Sequence, residues 1–445
     1  MKEPIVSVAG LRGIVGESFT EEIIIPYVCA FADLLETKTV VVGGDSRPSR
    51  SWAQPAVESA LRARGVDVIS IGLAPTPTHG MMVRRFAAGG AIAITASHNP
   101  IPWNGLKFFH EGGEFLTPDH HTRLHHSMEH PAATPHRIGT RTVQEDALDF
   151  HLKTLMDVLP PKSGARPLKV VIDCCNGASS VLAPRVAEAY GATAEPFWND
   201  PNQVFPREAE PLPHNLVELS ARVLASGADF GAAIDPDADR IAFVDETGRA
   251  IGEERSLVLG IDAYLKMSGE KTPVAVNLST SQAIDALGRR EGFDVHRTKI
   301  GEAHVLAGLR QVHAKIGGEG NGGVILPSVH PGRDAATALA LILLGLQERG
   351  GTLSEWNGTI PDYALVKDKV ERGNISVEES IARARTEFAD ADHADDTDGI
   401  KFLLSGERWV HLRPSGTEPI LRIFAEAPDA AAAKALVLRA HKALA

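Results

Sequence analysis

Residues 90–100 read GAIAITASHNP, a short apolar run that ends in a polar turn. A run this short, entered through glycine and left through Ser-His-Asn-Pro, reads as a buried strand, since a helix needs more length to bury a face. The chain before it follows the same grammar. TVVVGG (39–44) reads as a strand, 51–64 as a helix, VDVISIG (66–72) as a strand, and another helix follows Pro77. Such alternation predicts a mixed, mostly parallel sheet with helices packed against it. Ser97, at the end of a strand, stands where α/β layers usually bind their ligands.

The grammar recurs twice. LKVVIDCC (168–175) is a strand leading to a helix after Asn176–Gly177, and GADFGAAIDP (227–236) is a later strand. In the third block PVAVNLSTS (273–281) and FDVHRT (293–298) are strands, with helices after each, then GGVILPS (322–328) and a helix over 335–347. The tail differs: a helix at 376–388, strands near 399–404, 408–412 and 420–426, and an Ala-rich helix at 428–444. The predicted fold is therefore α/β, with three similar mixed-sheet domains over 1–137, 138–248 and 249–360 and a smaller C-terminal α+β domain over 361–445.

At 445 residues, with 43% hydrophobic and 23% charged residues, the chain is long enough to bury several cores without disulfides or structural metals. Cys29, Cys174 and Cys175 form no metal or disulfide pattern and read as reduced thiols. The first residues lack the apolar core of a signal peptide, and no run approaches a membrane span, so a cytoplasmic location is expected. A net charge of -12 disfavours nucleic acid and anionic membranes as partners. It leaves room for a phosphorylated small substrate in a locally basic site.

Four segments carry candidate chemistry. Thr95-Ala96-Ser97-His98-Asn99-Pro100 exposes a fixed serine at a strand end; by itself it also fits a turn with local hydrogen bonds. Asp235-Pro236-Asp237-Ala238-Asp239-Arg240 places carboxylates at i, i+2 and i+4 on a turn between apolar strands. They would repel one another without a cation, and oxygen-only ligands select Mg²⁺ or Ca²⁺. An EF-hand is excluded: Arg240 stands where that loop needs glycine, and the flanks read as strands. Gly317-Gly318-Glu319-Gly320-Asn321-Gly322-Gly323 allows close backbone approach and offers a carboxylate and an amide, suited to sugar hydroxyls or to a flexible turn. Arg413-Pro414-Ser415-Gly416-Thr417-Glu418-Pro419 offers amides, hydroxyls and a guanidinium to a phosphate. His121 and His125, one helical turn apart, read as a solvated helix face, and Asp45-Ser46-Arg47 as a structural turn.

In this order the four motifs resemble those of the α-D-phosphohexomutase superfamily, over the whole chain from Gly10-Leu11-Arg12-Gly13 to the tail. The resemblance implies four domains around a central cleft, each supplying one motif, and interconversion of hexose 1- and 6-phosphates. It implies that Ser97 is phosphorylated and that Asp235, Asp237, Asp239 and the phosphoserine hold Mg²⁺. It makes Arg12, His98, Lys107 and Arg240 the polar neighbours of the serine, with Ser97, Lys107, Arg12 and His98 forming the catalytic group. Glu319 and Asn321 would read sugar hydroxyls, Lys299 would border the substrate, and Arg413, Ser415, Gly416 and Thr417 would hold the phosphate that is not reacting.

The implied partner is a phosphorylated hexose or hexosamine, with hexose 1,6-bisphosphate as intermediate and activator. Two departures matter: Gly323 and Glu302 stand where several members carry histidine, which leaves Lys107 to handle the hydroxyl proton. Asn104-Gly105-Leu106-Lys107-Phe108-Phe109 and the tail motif followed by Arg422 look most like phosphoglucosamine mutases. Phosphomannomutase/phosphoglucomutase activity is the alternative. A metal-dependent phosphatase and a non-catalytic phosphosugar-binding protein are the rival readings.

Overall fold

The computed structural model describes residues 3–8, 10–133, 135–371, 375–414 and 420–444, so Ser415, Gly416 and Thr417 lie outside the described residues. The chain divides into two compact units, Met1–Met267 with Gly322–Ser354, and Ser268–Asn321 with Glu355–Ala445.

In the first unit a seven-stranded sheet runs in the order Ile5–Ser7, Gly10–Ile14, Trp103–His110, Gly90–Ile94, Thr39–Gly44, Asp67–Leu73, Arg141–Val143. The deciding strand, Gly90–Ile94, pairs in parallel with Thr39–Gly44 and antiparallel with Trp103–His110. Its residues alternate between two cores. Ile92 and Ile94 join Ile24, Val28 and Phe31 of the helix Glu21–Leu34 and Val57 and Leu61 of Arg50–Ala63. Ala91 and Ala93 join Met82 and Val83 of Thr76–Phe86 on the other side. A strand covered on both faces is apolar throughout, which is why the run lacks alternation.

A second sheet in this unit has the order Ile241–Asp245, Phe230–Ile234, Leu168–Asp173, Ala192–Phe197. Phe230–Ile234 and Ile241–Asp245 form an antiparallel hairpin whose loop is the Asp-rich segment. The unit also holds the antiparallel pair Gly323–Leu326 and His330–Arg333, followed by the helix Ala335–Arg349.

In the second unit Val274–Asn277 lies between Val295–Thr298 and Ile316–Glu319, all parallel. The tail is a five-stranded antiparallel sheet in the order Ala364–Glu371, Ile420–Ala427, Arg408–Pro414, Ile400–Leu404, His393–Asp395. Its core joins Phe402, Val410 and Ile423 to Ala384, Leu436 and Ala440 of the two tail helices.

Several expectations need correction. The strand predicted in the stretch 90–100 ends at Ile94, so Thr95 and Ala96 already belong to the turn before Ser97. The helix after Cys175 begins only at Leu182, because Cys175 and Asn176 adopt positive φ and first turn the chain. The glycine run is half strand: Ile316–Glu319 pairs with Val274–Asn277, and a Cβ on Gly317 would fall 2.0 Å from the Ala275 carbonyl oxygen. Trp103–His110 and Ala364–Glu371 are strands that the sequence reading did not give.

Cys174 and Cys175 are buried free thiols, and burial pushes Cys175 up to about 12. Among the described residues no helix is long and apolar enough to cross a membrane.

His79 and His330, both buried in the first unit, carry a prediction. Burial is the main cause that holds their rings down at about 4 and about 3, against 6.5. Below pH 6.5 the unfolded chain takes up protons that the folded chain refuses. Stability present above 6.5 is therefore lost as pH falls toward 4, at up to ~1.4 kcal/mol per pH unit for each ring. The urea midpoint should fall steadily over that window; a flat midpoint would contradict the assignment.

Candidate active site

Ser97 leaves the sheet with φ +50, a strained value for a residue with a Cβ, and is almost fully buried. The strain is held by Arg47, whose side chain is fully buried. Its guanidinium donates to the carbonyl oxygens of Ser97 (2.6 Å), Asn99 (2.6 Å), Pro100 (2.8 Å) and Trp103 (3.0 Å). Asp45 accepts from Arg47 Nε at 3.1 Å and from Thr95 Oγ1 at 2.6 Å, and Thr95 Oγ1 accepts the Ser97 N–H at 2.9 Å. The Asp45-Ser46-Arg47 turn is thus the support of the serine loop. In the sequence these residues show only a turn, because nothing local signals which carbonyls an arginine will reach.

The hairpin loop 235–240 comes up to the serine. Asp235 Oδ1 accepts the N–H groups of Asp239 and Arg240, both at 3.1 Å, and Ala238 takes φ +58, which curls the loop back on itself. Asp235 Oδ2 lies 3.4 Å from Ser97 Oγ. Oxygens of Asp235, Asp237 and Asp239 all fall within 4.8 Å of one another. Thr76 clamps the loop from the helix Thr76–Phe86: its N–H donates to the Asp237 carbonyl (2.8 Å) and its hydroxyl to Asp237 Oδ2 (2.6 Å).

Cations surround this acidic core. Lys107 Nζ donates to Asp237 Oδ2 (2.6 Å) and Asp239 Oδ2 (3.0 Å), and Arg333 Nη2 to Asp239 Oδ2 (2.8 Å). Arg12 donates to Asn99 Oδ1 (2.9 Å), and Arg240 to Glu210 Oε1 (2.7 Å). Burial works to lower Lys107, but Asp237 and Asp239 outweigh it and hold the ammonium above its ordinary value. His98 Nδ1 is 3.4 Å from Ser97 Oγ; Arg240 first, then burial, then Arg12 bring its ring down to about 2, so it is neutral. Arg333 and Thr76 are site residues that the sequence reading missed, since neither lies in a recognisable motif.

The carboxylates are not equivalent. Burial, then Asp237 and Asp239, push Asp235 well above the carboxylate range. Burial also works to raise Asp237 and Asp239, yet Lys107 for the first, and Arg333 and Lys107 for the second, hold them below it. Among the described residues no donor hydrogen-bonds to the buried Asp237 Oδ1 or Asp239 Oδ1, although Arg240 Nε stands 3.7 Å from the latter. Orphaned acceptors of this kind are costly unless something positive takes their lone pairs. The donor set, three converging carboxylates, fits a hard divalent cation.

A cavity of about 590 Å³ opens beside His98, lined by Pro100, Ile101, Pro102 and the segment from Phe205 to Leu212. That is within the size range of small-molecule sites.

In the second unit Glu319, nearly buried at its strand end, accepts from the Gly301 N–H (2.9 Å) and Asn277 Nδ2 (3.1 Å). Asn321 Oδ1 is buried and has no hydrogen-bond partner among the described residues. Lys299 is exposed; its neighbour Ile300 donates its N–H to Asp398 Oδ2 (3.0 Å), which also accepts Arg413 Nε (2.8 Å). Asp398, absent from the sequence reading, thus ties the Lys299 loop to Arg413.

Four family matches tile the chain: phosphoglucomutase/phosphomannomutase alpha/beta/alpha domain I over residues 4–134, domain II over 150–248, domain III over 253–363, and the C-terminal domain over 365–442. The chain is 36% identical over 432 residues to a probable phosphoglucosamine mutase of Methanopyrus kandleri, covering 96% of this chain and 95% of that one. It is 37% identical over 434 residues to a phosphoglucomutase/phosphomannomutase of Thermococcus kodakarensis, covering 94% and 93%. A solved phosphoglucomutase/phosphomannomutase family protein from Burkholderia thailandensis superposes with a TM-score of 0.85 at 24% identity, over 99% of this chain and 98% of that one.

Proposed function

This chain belongs to the phosphoglucomutase/phosphomannomutase family, and we propose that it interconverts glucosamine 6-phosphate and glucosamine 1-phosphate through a phosphoserine at Ser97 and a hexosamine 1,6-bisphosphate. The observation that carries this reading is the meeting of Ser97 Oγ with Asp235 in a buried loop of three carboxylates. Mg²⁺ held by Asp235, Asp237, Asp239 and the phosphoserine would supply charge neutralisation for the moving phosphoryl group.

The chain's own residues do the rest. Arg47 keeps the serine loop in one conformation, so the phosphoryl group is presented in a fixed direction. Phospho-Ser97 gives its group to the free sugar hydroxyl: the new O–P bond forms as the serine O–P bond breaks, and the proton lost by the hydroxyl is matched by one taken up at Ser97 Oγ. The other phosphate of the bisphosphate then returns to Ser97: its sugar O–P bond breaks as the serine O–P bond re-forms, and the serine proton is matched by one taken up at the freed sugar oxygen. Lys107, held as an ammonium, donates a proton rather than accepting one, while Arg12 and Arg240 offset phosphoryl charge. Glu319 and Asn321 read the sugar hydroxyls, and Arg413 with Ser415, Gly416, Thr417 and Lys299 holds the phosphate at rest. The domains run 1–137, 138–248, 249–360 and 361–445, and we place the protein in the cytoplasm.

Glucosamine is favoured by the motifs around Lys107 and Arg413 and by the name of the Methanopyrus relative. The Thermococcus relative's name favours glucose and mannose phosphates as the second reading. Turnover of the three sugar phosphates side by side decides between them: kcat/KM should be highest for glucosamine phosphate, and a strong preference for glucose or mannose would refute the assignment.

Lys107→Met supplies another test. Removing the ammonium leaves Asp237 and part of Asp239 unpaired, at a cost of about 3–5 kcal/mol in the metal-free protein. Added Mg²⁺ should raise the melting temperature of the variant more than that of the wild type, because it takes over the missing charge. Equal shifts would contradict the proposed sharing of carboxylates between lysine and metal.

A further inference from the structure

Behind the acidic loop lies a buried polar chain that the reaction does not use. Thr78 is two residues beyond Thr76 in the first turn of the helix Thr76–Phe86, and its Oγ1 lies 2.8 Å from His151 Nδ1. His151, on the helix Ala147–Val158, places its Nε2 3.2 Å from Asp334 Oδ2. Asp334 directly follows Arg333 and caps the helix Ala335–Arg349, accepting from the N–H groups of Ala336 (3.0 Å) and Thr337 (3.2 Å) and from the Thr337 hydroxyl (2.6 Å). The next N–H, that of Ala335, donates to the carbonyl of Ala238 inside the acidic loop at 3.2 Å. Thr78, His151 and Asp334 are each at most 1% exposed.

The two ends of this polar chain, Thr78 and Asp334, therefore stand beside the two clamps of the loop, Thr76 and Arg333. Thr76 holds Asp237, and Arg333 holds Asp239. Burial works to raise Asp334, but His151 and Thr337 outweigh it, so the carboxylate stays ionised and only accepts. The ring then donates from Nε2 to Asp334, and its Nδ1 faces the Thr78 hydroxyl at hydrogen-bond distance. Both ring nitrogens are committed, which fixes the imidazole between two elements that come from distant parts of the sequence.

We propose that His151 is a positioning residue for the acidic loop: it ties the helix carrying Thr76 to the strand end carrying Arg333, and so holds Asp237 and Asp239 at the spacing that binds one divalent cation. This rests on the metal reading of the loop given above. Residues that orient the ligands of a metal, without touching it, typically change its affinity 10–100-fold when replaced.

The test is Mn²⁺ binding to the full chain, read by electron paramagnetic resonance without sugar phosphate. His151→Leu, which keeps the volume and loses both hydrogen bonds, should bind Mn²⁺ roughly 10-fold more weakly. Thr78→Val, which removes one bond, should weaken it in the same sense by less. His151→Gln, able to donate toward Asp334, should recover part of the loss. At saturating Mg²⁺, kcat of His151→Leu should fall with KM for the sugar phosphate unchanged.

Wild-type Mn²⁺ affinity in His151→Leu overturns the proposal; should that variant fail to fold, the same result in Thr78→Val does so. Binding that Asp235→Asn weakens but these variants do not would sink the positioning role alone. Absence of Mn²⁺ binding by the wild type, or indifference to Asp235→Asn, would sink the metal reading and this role together.

Discussion

Ser97→Ala should lower mutase turnover by roughly 10⁴-fold or more, the scale seen when a covalent nucleophile is removed. The same change should leave stability nearly untouched. Among the described residues the Ser97 hydroxyl makes only 3.4 Å contacts, to Asp235 and His98, whereas the loop is held through its backbone carbonyls by Arg47. A steady-state assay with a melting curve checks both halves. A variant that keeps its activity would point to a phosphatase working directly from the acidic loop, and a wild type without turnover to a phosphosugar-binding protein.

Arg47→Met should be the most damaging change away from the reacting atoms. It removes the donors to the carbonyls of Ser97, Asn99, Pro100 and Trp103 and leaves Asp45 buried without its cation. Burial already pushes Asp45 above the carboxylate range, with Arg47 the main force opposing it. Breaking a buried ion pair from one side costs about 3–5 kcal/mol. Release of the strained Ser97 backbone should lower kcat by roughly 100-fold beyond any loss of folded protein. Arg47→Lys should rescue little, since an ammonium cannot span four carbonyls in a planar fork. Urea unfolding and kcat per folded molecule test this; a midpoint close to wild type would contradict the role of Arg47.

What the sequence conveys well is local and periodic. The apolar runs at 39–44, 90–94 and 168–173 identify strands because both their faces are covered, and the helices between them follow from length and periodicity. Trp103–His110 escapes because Asn104-Gly105 looks like a turn and Lys107 interrupts the apolar pattern. Lys107 is tolerated there only because Asp237 and Asp239, 130 residues or more away in sequence, neutralise it. Ala364–Glu371 escapes because it lies at the edge of its sheet, where alternating charge is compatible with a strand.

The acidic triplet and Ser97 announce themselves through residue type and spacing. Arg47, Thr76, Arg333 and His151 do not, because each acts on a partner that only the fold brings near. Glu302 is a buried residue at the start of the helix Glu302–Gln311, where the family resemblance led one to look for histidine.

Phosphorylation of Ser97 is tested most directly by the intact mass of the wild-type protein after incubation with a hexosamine 1,6-bisphosphate, with the site mapped by peptide digestion. One added phosphoryl group is expected, located on the peptide that contains Ser97. A protein that stays unmodified, or carries the group on any other residue, would contradict it.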